Sequence, residues 1–81
     1  MTPAQCRAAR GLLEMTQSQL ARAADRGLST VVDFEKGRRQ VSVAAVEAIR
    51  AALERAGIVF IDENGGGEGL RLRKPRRSKR K

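Results

Sequence analysis

Ser29, Val32, Asp33 and Lys36 stand at helical spacing behind Leu28, and they carry most of the usable chemistry in this chain. If Val31 and Phe34 point inward, as the apolar period requires, these residues and Leu28 face out together. A serine hydroxyl donates or accepts at a base or a phosphate. A carboxylate at Asp33 accepts from a cytosine amino group and otherwise repels phosphate. An outward valine beside a buried one suits a thymine methyl, or is a surface valine available to a protein contact. Leu28 fits two roles equally, a methyl contact or a plug for the core. Thr30 and Lys36 complete the set of candidate base-contacting residues.

Little else in the sequence supports a reaction. There is no His and one Cys. The Gly65-Gly66-Gly67 run lies between two expected strands with no helix behind it, so it does not make a phosphate-binding loop. No acid pair has a pocket to perturb it, and the ligand types for a metal are missing. The residues predict a binding protein: not an enzyme, and without metal or cofactor.

These side chains need helices to position them. Thr2-Pro3 places a hydroxyl cap and a proline at a helix start, predicting a first helix over about 3–13 that buries Cys6, Ala9 and Leu13. Thr16 caps a second helix and Gln19 reaches back to it as a capping box, with Met15 and Leu20 as a hydrophobic staple. Leu20, Ala21 and Ala24 mark its inner face, small Ala21 allowing a steep crossing. Asp25-Arg26-Gly27 is too polar and glycine-biased to continue it. A third helix is expected over 28–36, ended by left-handed Gly37. Ser42 caps a fourth, with Val41 and Val46 as a staple and Val46, Ile49 and Leu53 as its stripe, until Gly57. The β-branched run Ile58–Ile61 and the alternating Leu70–Arg73 read as a hairpin. Its first strand offers an edge that can pair across a two-fold axis.

Eighty-one residues hold one small domain, and with two Phe and no Trp or Tyr its core is aliphatic and alanine-rich. The expected fold is mainly α: a compact four-helix helix-turn-helix domain over 1–57, a β-hairpin extension over 58–73 as a possible dimerisation element, and a basic disordered tail over 74–81. Cys6 reads as a small buried hydrophobe and suits a reducing compartment. No apolar run approaches a membrane span, and no signal peptide is expected at the N-terminus. The net charge of +8 is unevenly placed: residues 1–69 hold nine Lys/Arg and nine Asp/Glu, whereas 70–81 hold eight Lys/Arg and no acid. Such a block is either a solvated terminus or follows a polyanion. On nucleic acid it adds salt-dependent affinity and little discrimination.

With those residues placed, the chain resembles the lambda-repressor-like (Xre or Cro type) helix-turn-helix family over about 4–56. The likeness rests on Arg10, Met15-Thr16-Gln17, Leu20-Ala21, Ser29-Thr30-Val31, Phe34-Glu35, Gly37 and the Ser42–Leu53 helix. It departs where the family usually has glycine (Glu14 and Asp25 here), an apolar plug (Arg26) and a hydroxyl cap (Gly27). The resemblance implies a cytoplasmic, sequence-specific regulator of transcription on double-stranded DNA, a homodimer on an inverted-repeat operator. It implies a repressor, or an activator that touches RNA polymerase. It places the 28–36 helix in the major groove, Thr16, Gln17 and Gln19 at phosphates, and Arg10 and Glu35 in a structural ion pair. Arg38 and Arg39, just after that helix, suit backbone contacts. Two other readings fit the same residues: an antitoxin bound to a toxin protein and regulating its own gene, or a non-specific nucleic-acid binder driven by the tail. No membrane partner is expected.

Overall fold

The first three helices end by the same local device, and it sets the angles between them. In the computed structural model, which describes residues 1–38, 40–62 and 65–73, α1 spans Pro3–Leu13, α2 Gln17–Ala24, α3 Leu28–Lys36 and α4 Val43–Arg55. Glu14, Asp25 and Gly37 follow the first three in left-handed conformation, with φ of 55°, 55° and 65°. Behind each, two amides turn back on the helix: Glu14 N to Gly11 O and Met15 N to Arg10 O, Asp25 N to Arg22 O and Arg26 N to Ala21 O, Gly37 N to Phe34 O and Arg38 N to Asp33 O. This pairing satisfies carbonyls that a helix end otherwise leaves open. Glu14 and Asp25 therefore adopt the backbone that glycine adopts at Gly37.

The helix starts are equally local. Thr16 accepts from the Gln19 amide at 3.0 Å while Gln19 Oε1 accepts from the Thr16 amide at 2.9 Å. The same box closes at Thr2 and Gln5, where the sequence suggested only a cap. Ser42 Oγ accepts from Ala45 N at 3.1 Å. Gly27, before α3, has no side chain to cap with.

The core is aliphatic and alanine-rich, as composition demanded: Cys6, Ala9, Leu20, Ala21, Ala24, Val31, Ile49, Ala52, Leu53 and Ile58 are buried. Small residues on α2 let α3 and α4 approach it closely. Leu13, Phe34 and Val46 lie nearer the surface than their periodicity implies. All three are half-buried, and Ala45 rather than Val46 joins the α4 stripe.

Strands β1 (Ile58–Ile61) and β2 (Gly69–Leu72) pair antiparallel, Ile58 opposite Leu72 and Phe60 opposite Leu70. The second strand begins one residue earlier than Leu70–Arg73 suggested, and Arg73 only closes the ladder through its amide to Gly57 O. Phe60, Leu70 and Leu72 pack on the core from one face of the hairpin. Gln5 Nε2 ties α1 to the start of β2 at Gly69 O, 2.9 Å away. The edge offered for strand pairing is shorter than expected, since Ile58 is only 1% exposed and its main chain is covered with it. An added strand meets only Val59–Ile61.

Left-handed backbone gives opposite signs at two matched positions. Asp25→Gly relieves strain and raises unfolding free energy by about 0.5–1 kcal/mol, whereas Gly37→Ala lowers it by about 1 kcal/mol. Urea denaturation of both variants measures this; a shared sign contradicts it.

Candidate nucleic-acid interface

One buried carboxylate fixes how α3 is turned. Glu35 is 2% exposed, and each of its oxygens takes two donors. Arg10 lays its guanidinium fork across it, Nε at 2.6 Å from Oε2 and Nη2 at 2.8 Å from Oε1. The Cys6 thiol donates to Oε2 at 3.1 Å, and Gln17 Nε2 donates to Oε1 at 3.0 Å. Three of these four donors come from two residues of α1 and one from the first turn of α2, so three helices meet at one charge. Arg7, also on α1, donates to the Glu35 main-chain carbonyl near the end of α3. Arg10 spends its remaining Nη1 on Met15 O, 3.1 Å away, in the link to α2.

Burial raises a carboxyl's pKa, but the hydrogen bonds from Arg10, Cys6 and Gln17 outweigh it and hold Glu35 below its ordinary value. The thiol responds oppositely. Burial, the bond to Glu35 and that residue's charge push Cys6 up, so it stays a neutral donor. The bond to Glu35 likewise raises Arg10 despite its partial burial.

With Val31 and Glu35 turned inward, the opposite side of α3 is presented to solvent. Leu28, Ser29 and Lys36 are exposed, while Thr30, Val32 and Asp33 are half-buried. Leu28, at 47% exposure, is no core plug. Asp33 does not stand as a bare negative charge: its Oδ1 lies 4.0 Å from Arg38 Nη1. Three helices start under a hydroxyl cap and α3 starts under glycine, so its first turn has no side-chain cap, the Thr30 amide donating instead to Gly27 O at 3.1 Å. Arg26, exposed two residues before α3, adds a cation beside that end which the sequence reading did not assign.

The phosphate candidates divide. Thr16 is exposed, and its hydroxyl accepts from Gln19 N, which leaves its own proton to donate. Gln19 is exposed but its carbonyl serves the capping box. Gln17 is half-buried with one N–H committed to Glu35, so a phosphate can claim only the other. Arg38 is exposed. Arg39 and the tail at 74–81 lie outside the described residues.

A family model described as helix-turn-helix matches residues 7–56. No curated protein matches the chain. Among the described residues, no helix is long and apolar enough to cross a membrane.

Removing one partner of a buried pair strands the other's charge, so Arg10→Ala costs about 3 kcal/mol or more in urea unfolding, and Arg10→Lys less. A loss below about 1 kcal/mol for Arg10→Ala contradicts the role given to Glu35. The same cluster predicts acid sensitivity. The folded-state pKa of Glu35 lies below its unfolded value of about 4.3, so the stabilisation is present above that pH and is lost as pH falls through the folded value. Glu35→Gln flattens this part of the stability–pH profile; an unchanged slope in the variant contradicts the assignment.

Proposed function

The chain belongs to the lambda-repressor-like helix-turn-helix family, and from that premise we propose that it is a sequence-specific regulator of transcription that binds double-stranded DNA with α3 in the major groove. The observation that carries this reading is the Glu35 cluster, which turns α3 so that Ser29, Val32 and Lys36 share its outer side. On a duplex the N-terminal half of such a helix meets base edges. Arg38, and Arg39 beside it in sequence, meet phosphates and set register without reading bases. Thr16 and the free amides at the start of α2 provide a second backbone contact.

A nine-residue helix contacts few base pairs, so the protein acts as a homodimer on an inverted repeat. Its half-sites then lie about 34 Å apart, one helical turn. Occlusion of polymerase makes it a repressor. It works in the cytoplasm by binding alone, with no catalytic step and no cofactor. The eight Lys/Arg of residues 70–81 raise affinity for any duplex, adding to residues 1–69, whose charges cancel.

Selection of bound sites from random duplex DNA tests the reading directly. It returns two copies of a short half-site; competition by scrambled duplex as strong as by the selected site overturns the proposal. Ser29→Ala costs about 1–3 kcal/mol at the selected base pair and little elsewhere. Arg38→Ala weakens all duplexes alike and flattens the salt dependence of binding. Deleting residues 74–81 lowers affinity at low salt but keeps the sequence preference. Loss of that preference with the tail favours a non-specific binder.

A further inference from the structure

We infer that Leu28 and Val32 recognise the C5-methyl group of pyrimidines, so that thymine and 5-methylcytosine are accepted where cytosine and uracil are discriminated against. The inference rests on the groove-bound α3 proposed above and adds the chemical group that it reads.

Leu28 and Val32 are one helical turn apart and therefore neighbours on one ridge of α3, which continues to Lys36. Leu28 is a large apolar side chain at 47% exposure, at the helix end that enters a groove first. The protomer has no packing use for it. The core beneath α3 is closed by Val31, which is fully buried, and the turn before α3 is held by main-chain bonds from Asp25 and Arg26. Gly27 places no side chain over this end of the helix.

The polar alternatives are few. The α3 sequence LSTVVDFEK contains no Arg, Asn or Gln, and its one Lys, which can also read guanine, is Lys36 in the last turn, two turns from Leu28. Its Asp33 carboxylate is half-buried, 4.0 Å from the exposed Arg38 guanidinium, and Glu35 is enclosed by Arg10, Cys6 and Gln17. What remains for base edges is one apolar ridge flanked by hydroxyls and ended by one ammonium. In the major groove the apolar group that distinguishes one base pair from another is the thymine methyl. A methyl at the same carbon of cytosine occupies the same place.

The test uses the full chain and the duplex obtained by selection, with each thymine replaced in turn by deoxyuridine, which lacks only the methyl. At the positions under the ridge, binding weakens about fourfold per methyl removed. Leu28→Ala and Val32→Ala each bind the thymine and uridine duplexes equally at one position, while Leu28→Met retains the difference. Thermal melting of the free variants confirms that they are folded. Replacing those uridines by 5-methylcytosine, each paired with guanine, restores binding relative to unmethylated cytosine at the same position. If the wild type binds a selected site specifically but treats uridine and thymine alike throughout, methyl recognition is overturned and specific DNA binding stands. If no site can be selected at all, both fall together.

Discussion

Everything the protein presents to a partner depends on keeping one carboxylate charged inside it. A buried ion is expensive unless its lone pairs are all engaged, and Glu35 meets that condition with four donors. The consequence is geometric more than energetic. A buried pair of this kind can be replaced by well-packed apolar residues with little loss of stability, so its worth lies in the arrangement it selects. The planar fork of Arg10 fits Glu35 in one orientation, and Gln17 and Cys6 fill the remaining positions only when α1, α2 and α3 are in register. A rotation of α3 by one residue about its axis would break all four bonds and carry Val31 out of the core. The side that α3 shows to solvent is thus determined by the side that it cannot show.

Short-range devices bring the helices to that point. The left-handed endings after α1 and α2 reverse the chain in three residues, too few to allow a choice of crossing angle, and the same ending at Gly37 closes α3. Capping boxes at Thr2 and Thr16 fix where α1 and α2 begin. Alanine at positions 21, 24 and 52 then permits the close approach that brings Gln17 within reach of Glu35. A larger residue at Ala21 would act on the polar cluster through distance alone, without touching it.

This division explains what was legible in the sequence. Caps, endings and strand segments depend on residues three or four apart, and these were readable: Thr16 with Gln19, Gly37 as a stop, Ser42 as a start, and the bounds of α3. The left-handed backbone at Glu14 and Asp25 was legible only through comparison with positions where glycine is usual, because neither residue type announces it. Interactions between helices were less readable. Arg10 with Glu35 emerged from family resemblance, but nothing local marks Cys6 as the donor beside it. A cysteine on an apolar stripe has the same pattern whether or not its thiol is bonded. The resemblance alone places Gln17 at a phosphate, and nothing local marks the carboxylate, 18 residues away, that claims one of its amide protons. Leu28 stayed ambiguous for another reason. At the first position of a helix the period has not yet chosen a face, and the preceding turn decides whether the side chain is covered.

The separation of charge from structure follows the same logic. Residues 1–69, with balanced charges, tolerate a buried carboxylate because no large field of one sign bears on it, and their arginines serve specific pairings such as Arg10 with Glu35 and Arg50 with Glu54. Had the eight basic residues of the last segment been spread over α2 and α3, they would have competed for Glu35 and for Asp33. They would also have covered with long cationic side chains the short ones at Ser29 and Val32. On the proposed reading, the excess held in and after β2 serves non-selective attraction to phosphate, apart from the selective contact proposed for α3.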